Sequence, residues 1–281
     1  MATAENALPP ELEQEIFETA ALMHPSTIPV LLRVARRVLI WIEPFLYRVI
    51  RLDLLPLADA VRHAIRTKPA SFFQDSVRHL FLNSSEGWSA GEISELLRHC
   101  TRLVSFYTTG EFTTPAMLPL LGRMLPVRKW GGPLELLFGS AAAVDLNHPF
   151  FRNVTHLDLF DLVKDSDTRL SAGLGALPAL THLCLNNNVG VSFLRRVLEQ
   201  CAHLQLLIHM WNHFYSEPAR GIAANPPVVD VRFVVGVFHS YWDDWEAGAR
   251  GGVDFWVAAD TFVARKRRGE IAASHYLLDH F

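Results

Sequence analysis

Three histidines occupy the same position in three similar phrases of the sequence. His79, His156 and His182 each stand third in a hexapeptide, in VRHLFL, VTHLDL and LTHLCL. Imidazoles at one repeated position suggest either a metal or proton-relay ladder, or exposed strand positions that accept histidine. Spacing favours the second interpretation, because His79 lies three repeats from His156, roughly 15 Å at the strand separation of a sheet. We therefore expect no shared metal ion at these histidines.

Two cysteines with nearby histidines suggest zinc at first sight. Cys100 and Cys201 have His99 and His203 close in sequence, but the chain has three cysteines and no C-x-x-C pair. Both cysteines follow similar amphipathic segments and precede a repeated phrase by three positions, so a buried helix-end position explains them. The P-loop, G-x-S-x-G, H-E-x-x-H and dinucleotide-binding patterns do not occur. The sequence therefore predicts no enzyme activity, no cofactor and no metal.

The elements that carry these residues repeat along the chain. Three strict phrases and four looser ones begin at residues 77, 103, 127, 154, 180, 204 and 228, at separations of 26, 24, 27, 26, 24 and 24. The pattern L-x-x-L-x-L at a period in the twenties resembles the leucine-rich repeats, whose units run roughly 20–29 residues. Each unit also has room for the crossover that parallel strands need. We predict an α/β fold, a leucine-rich-repeat-like solenoid with a curved parallel sheet and helical returns.

Side chains between the repeated leucines are predicted to face the concave surface of this solenoid. Strand side chains alternate, so leucines that enter the core leave their neighbours on the opposite face. Asn188 and Asn212 occupy the asparagine position of leucine-rich repeats, and we interpret both as structural. The predicted partner-binding residues on the concave surface are His79, Phe81, Ser105, Tyr107, His156, Asp158, His182 and Cys184.

The first 48 residues differ from the repeats and resemble an F-box. Residues 8–12 read LPPEL and residues 15–17 read EIF, which is similar to the L-P-x-E-L opening of that motif with its following I-F. Residues 34–38 read VARRV and lead to Trp41, which is similar to its second half. Two departures are Ala35, where the motif usually has cysteine, and a linker without the usual acidic residue and leucine.

The F-box resemblance implies a substrate-recruiting subunit of an SCF-type (cullin–RING) ubiquitin ligase, with an unknown target protein on the repeat surface. An adaptor-binding stripe is expected to stay exposed, whereas a helical cap would bury it. The alternative is a repeat-based interaction module without a link to ubiquitin, whose N-terminal helices act as a cap. The residues implied to bind a Skp-family adaptor are Leu8, Pro9, Leu12, Ile16, Phe17 and Val34.

The C-terminal residues contain two further features with alternative interpretations. The predicted division is 1–48 for the F-box-like segment, 49–236 for the solenoid and 237–281 for a capping segment. Within that last segment, residues 254–268 read as an amphipathic helix. Its basic end RKRR suggests a nuclear-localisation signal or a helix terminus, and we favour the terminus. The aromatic run YWDDW at 241–245 suggests a binding patch or, as we favour, a buried helical face.

Composition limits the possible partners and locations. The 281 residues include 26 Lys and Arg and 29 Asp and Glu, a net charge of −3, which argues against binding nucleic acid or an anionic membrane through bulk charge. Half of the residues are hydrophobic, enough for a sizeable core. No signal peptide and no apolar stretch of membrane-spanning length is recognisable. We expect a cytoplasmic or nuclear protein, or one found in both compartments.

Overall fold

The computed structural model describes residues 8–53, 55–83, 88–186 and 189–279, with residues 55 and 56 described by their backbone alone. Asn188 lies outside these ranges. The strands within them are β1 (Val49–Leu52), β2 (His79–Leu82), β3 (Ser105–Thr108), β4 (Lys129–Gly132), β5 (His156–Leu159), β6 (His182–Leu185), β7 (Leu206–Asn212), β8 (Phe233–Phe238) and β9 (Leu277–Asp279). The helices are α1 (Pro10–Met23), α2 (Ile28–Leu31), α3 (Arg36–Leu46), α4 (Leu55–Thr67), α5 (Ala70–Ser76), α6 (Ala90–His99), α7 (Leu118–Leu121), α8 (Leu134–Phe138), α9 (Thr168–Gly175), α10 (Val191–Gln200), α11 (Ser216–Ala224), α12 (Tyr241–Ala249) and α13 (Phe255–Arg267).

The nine strands form one sheet whose spatial order equals their order in the chain. Every neighbouring pair is parallel, from β1 with β2 to β8 with β9. In a doubly wound sheet the spatial order of the strands reverses part-way along the chain. In this sheet each new strand is instead added at the same edge. The predicted α/β fold with a parallel, solenoid-like sheet is confirmed at this level.

One row of buried side chains runs across the middle strands of the sheet. Strand pairing aligns its members in register, and each is 0% exposed. The repeated leucines therefore enter the core, as the phrase predicts. The members of the row are Leu80, Phe106, Trp130, Leu157, Leu183 and Leu207.

The prediction of a strand at the seventh phrase, residues 228–231, is wrong. Asp230 ends the preceding loop with a turn, since its side-chain Oδ1 accepts the backbone N–H of Arg232 at 2.8 Å. Its carbonyl also accepts the N–H of Phe233 at 3.1 Å. Aspartate commonly closes turns in this way. The strand consequently begins after the turn, at Phe233, and extends to Phe238, beyond the predicted end of the solenoid at 236.

Helices connect many of the strands and pack on one face of the sheet. α6 begins with a capping box in which the Ser89 hydroxyl and Glu92 carboxylate satisfy each other's backbone N–H groups. Cys100 and Cys201 follow α6 and α10 and are buried, so both occupy the predicted helix-end position. Burial raises the pKa of the Cys100 thiol to about 12. Among the described residues, no group of three or more His, Cys, Asp or Glu side chains is arranged to hold a metal ion.

The N-terminal helices form a unit with its own small core. Ala21, Ile28, Val38 and Ile42 are buried together there, apart from the core of the sheet. α3 connects this unit to the first repeat, because the Lys68 ammonium lies 2.7 Å from a carboxylate oxygen of Glu43. The Tyr47 ring packs edge-on against Phe72 and Phe73, with ring centroids 5.3 and 6.1 Å apart.

The C-terminal helices α12 and α13 lie across the other face of the sheet. Their apolar side chains share a core with residues of β1, β2, β3, β6, β7 and β8. The segment predicted to cap the end of the solenoid therefore covers its length, and it then adds β9 beside β8. Of the helices in the described ranges, none is long and apolar enough to cross a membrane.

Candidate protein-binding surface on the N-terminal helices

The eight strand residues predicted to bind a partner lie beneath the protein's own C-terminal helices. The prediction of an open surface at these positions is wrong for this fold, because contacts within the chain occupy it. His79 and His156 are half-buried. The six buried members are Phe81, Ser105, Tyr107, Asp158, His182 and Cys184.

The strands themselves carried a signal for this covering layer. A sheet with one open face alternates apolar and polar residues, yet β2 reads HLFL and β7 begins LLIHM. Near-continuous apolar runs are typical of parallel strands that are buried on both faces. Phe81, Leu206 and Ile208 are therefore the residues that indicate a second layer.

Aromatic rings form the contact between α12 and the first strands. The Phe81 ring lies edge-to-face with Trp242 and Trp245, at centroid distances of 4.8 and 5.1 Å. Tyr241 and Trp245 are buried whereas Trp242 is half-buried, so the buried helical face favoured from the sequence comprises Tyr241 and Trp245. The Trp256 indole N–H of α13 donates to the Tyr107 hydroxyl at 3.3 Å.

Asp158 is fully buried at the centre of this interface. Its carboxylate accepts hydrogen bonds from the Tyr241 hydroxyl and the Asn186 side-chain amide, while the thiol of Cys184 also lies against it. Burial raises the pKa of Asp158 to about 7, although these hydrogen bonds act in the opposite direction. Asn186, which the sequence interpretation missed, directly follows β6, and its position after a strand was the available signal.

Two of the three repeated histidines stack on neighbouring strands. The rings of His156 and His182 are 4.0 Å apart and nearly parallel. The hydroxyl of the preceding threonine lies 2.9 Å from Nδ1 of His156 and 2.7 Å from Nδ1 of His182. Burial and the adjacent His182 lower the pKa of His156 to about 2. His79 lies three strands away, as its spacing predicts, and burial and nearby Arg48 lower its pKa to about 4.

Polar contacts fix α13 on the sheet. Nε2 of His182 lies 3.0 Å from a carboxylate oxygen of Asp260. The Lys129 ammonium is 3.1 Å from Asp254, whose other oxygen caps the helix by accepting the Val257 N–H at 2.9 Å. Hydrogen bonds of this kind specify one placement of the helix, which apolar packing alone does less well. This face of the sheet is therefore internal structure.

The N-terminal helices carry the contrasting surface, where apolar side chains are exposed. Leu12 and Ile16 are one helical turn apart on α1 and are 48% and 55% exposed. Leu8 is 55% exposed and precedes them, and Val34 between α2 and α3 is also 55% exposed. Pro9 is exposed too, while Phe17 is half-buried against the small core of this unit. Five of the six predicted adaptor-binding residues are thus accessible.

Exposed apolar residues concentrate in this unit. Residues 8–46 hold ten of the twenty large hydrophobic side chains that are exposed in the described parts of the chain. Such concentration is typical of interaction surfaces, whereas single exposed hydrophobic residues are ordinary. The ten are Leu8, Leu12, Ile16, Leu22, Met23, Val30, Val34, Leu39, Ile40 and Leu46.

A surface ion pair connects α1 to α3 within the unit. Arg37 on α3 binds the carboxylate of Glu13 through two nitrogens, at 2.7 and 3.0 Å. Glu13 follows Leu12 on α1, so the pair holds this helix against α3 while Leu12 remains exposed. The bidentate geometry gives a defined orientation even though an exposed pair contributes little stability.

Comparison with known proteins does not assign the chain to a family. No protein-family model matches the chain, and no curated protein matches it significantly.

Proposed function

We propose that this protein is an F-box-like, substrate-recruiting subunit of a cullin–RING ubiquitin ligase, with its N-terminal helices as the binding site for a Skp-family adaptor. The observation that carries the proposal is the exposed apolar surface at Leu8, Leu12, Ile16 and Val34. These are motif positions, and the helices that present them have a core of their own.

The exposed positions have the energetic weight to support binding. Burying a leucine, isoleucine or valine side chain contributes roughly 1.5–3 kcal/mol, and a stable interface needs about 800 Å² from each partner. Leu12, Ile16 and Val34 retain about half of their accessible surface in the folded chain, so this contribution is still available to a partner.

In this proposal the protein supplies no catalytic group. It acts by holding a target near the ligase, where a tethered target reaches a high effective concentration. The target must use a surface other than the strand residues beneath α12 and α13, because those residues are covered.

Direct binding of the purified protein to a purified Skp-family adaptor tests the proposal. We expect Leu12→Asp combined with Ile16→Asp to weaken binding by about tenfold or more, since both changes place a charge in an apolar interface. Biolayer interferometry measures this affinity, and thermal unfolding of the variant checks that the fold is kept.

Leu162→Asp is the matched control. Leu162 is 75% exposed but lies beyond β5, far along the chain from the N-terminal helices, so the same substitution there should leave adaptor binding unchanged. A wild-type protein that does not bind the adaptor contradicts the proposal, as does a double variant that binds as well as wild type.

A repeat-based interaction module with a helical cap is the second candidate. The contacts of α3 with the first repeat favour it, because Tyr47 and the Lys68–Glu43 pair fix the helical unit as a cap would be fixed. The two candidates separate in the adaptor experiment, since a cap has no reason to bind a Skp-family protein.

A further inference from the structure

A cleft of about 670 Å³ lies where β5 to β8 end and α12 begins. The carboxyl ends of parallel strands are the usual place for ligands in α/β sheets, and this volume is within the range of small-molecule sites. Six aromatic side chains line it, which are Phe160, Trp211, Tyr215, Phe238, Tyr241 and Trp242.

Three rings around Tyr241 stand nearly at right angles to the Tyr241 ring. Phe160, Phe238 and Trp242 have interplanar angles of 78°, 71° and 83° with Tyr241, at centroid distances of 5.1–5.7 Å. Trp211 and Tyr215 come from the end of β7 and the turn after it, so the cleft has aromatic rings from several strand ends.

The charge around the cleft suits a cation. Its lining, as far as the described residues show it, contains neither lysine nor arginine, so an anionic ligand would lack its usual cationic partners. Two lining residues, Tyr241 and Asn186, are the hydrogen-bond donors to the buried carboxylate of Asp158. The oxygen atoms of Asp158 that accept these bonds thus lie behind a wall of aromatic rings, and aromatic ring faces attract cations.

We propose that this cleft binds a methylated ammonium group, either of a small quaternary amine or of a trimethylated lysine side chain. A primary ammonium needs several hydrogen-bond acceptors when it leaves water, and walls made mainly of rings provide few. A quaternary ammonium has no N–H to satisfy and gains cation–π attraction from each ring face it meets. This proposal is independent of the adaptor-binding function.

Titration of the purified full-length chain with choline tests the proposal, with 3,3-dimethyl-1-butanol as the neutral probe of the same shape. Tryptophan fluorescence reports binding, because Trp211 and Trp242 line the cleft. We expect choline to bind at least about tenfold more tightly than the alcohol, as cation–π attraction predicts. Equal binding of the two, or no binding of choline at millimolar concentration, overturns the proposal.

Tyr215→Leu and Phe214→Leu form a matched pair for the same titration. Tyr215 lines the cleft and is 59% exposed, whereas its neighbour Phe214 is 80% exposed and does not line it. Both changes remove an exposed ring, so neither is expected to disturb the fold. Tyr215→Leu should weaken choline binding about threefold or more and Phe214→Leu should not; equal effects of the two contradict the site.

A trimethyl-lysine peptide distinguishes the two sources of the ligand. Tighter binding of the peptide than of choline assigns the cleft to a modified protein, because peptide backbone on either side of the side chain then adds contacts. Equal binding assigns it to a small quaternary amine. An unmethylated lysine peptide should bind more weakly than its trimethylated form, and the reverse order contradicts the proposal.

Discussion

Buried aspartate and histidine residues beneath the C-terminal helices have opposite effects on the way stability depends on pH. Burial raises the pKa of Asp158 to about 7, whereas it lowers the pKa of His156 to about 2 and that of His79 to about 4. Burial disfavours the charged form in each case, and the charged form is the deprotonated one for aspartate and the protonated one for histidine. Asp244, whose pKa burial also raises to about 7, acts in the same direction as Asp158.

Asp158→Asn should therefore change the pH dependence of stability. The folded state binds the Asp158 proton more tightly than the unfolded state does. The contribution of this proton to the free energy of unfolding is therefore complete below about pH 4 and is lost as pH rises to about 7. We expect the free energy of unfolding of Asp158→Asn, relative to wild type, to increase from pH 5 to pH 7. Urea unfolding across this range measures it.

His156→Gln provides the opposite trend as a control. A histidine with a lowered pKa destabilises the fold as pH falls below its unfolded value near 6.5. The stability of this variant relative to wild type should therefore increase toward low pH. Curves for Asp158→Asn and wild type that run parallel between pH 5 and 7 would contradict the raised pKa.

At the scale of elements, a glycine lets β3 and β4 accommodate a large buried ring. Gly131 of β4 is the registered partner of Tyr107 on β3, and a Cβ atom at Gly131 would overlap the Tyr107 ring carbons. That ring cannot move aside, since Tyr107 is 1% exposed and packs against Phe81 and Trp245. The close approach explains why a strand interior contains glycine.

Gly131→Ala should cost about 1–3 kcal/mol of stability, as overpacking of a tight core does. Gly221→Ala is the matched control, because Gly221 lies on α11 and a Cβ there meets nothing within 4 Å. That change should be neutral or stabilising by up to about 1 kcal/mol, owing to the helix propensity of alanine. Equal effects of the two substitutions in thermal unfolding would rule out the steric explanation.

The repeat period predicted β2 to β7 because each strand contributes to the same apolar row. Leu80, Leu157 and Leu183 belong to this row, on the face covered by the connecting helices. The period did not predict the burial of residues on the other face, such as Phe81 and Cys184. Alternation along a strand places these side chains on an exposed face unless a covering element is recognised. α13 itself was predictable from its periodicity, but its docking place depends on distant contacts such as His182 with Asp260. The strand predicted at the seventh phrase does not form there, because the turn at Asp230 takes precedence over the local apolar pattern.

For the whole molecule, two cores of unequal size predict unequal local stability. The N-terminal unit buries four hydrophobic residues together, whereas the central core includes side chains from every strand of the sheet from β1 to β8. Regions with few buried contacts open at lower free energy than the main core. The helices that carry the exposed apolar surface should therefore unfold locally before the sheet does.

Amide hydrogen exchange measured by mass spectrometry tests this difference. We expect amides of α1 to α3 to exchange faster than those of β2 to β7 under native conditions. The comparison is internal to one sample and needs no variant. Equal protection of the two regions would indicate a single cooperative unit and would favour the helices as an integral cap.

The C-terminal helices also determine when the molecule can be completed during synthesis. Arg51 of β1 pairs with Asp243 at 2.7 Å, across 192 positions of sequence, and Tyr241 of α12 bonds to Asp158 of β5. A ribosome releases the strands one after another, yet Phe81, Tyr107 and Leu206 have no cover until residues 241–267 have emerged. The nascent sheet therefore presents an apolar face until those helices emerge, and such a face is prone to aggregation if elongation stalls.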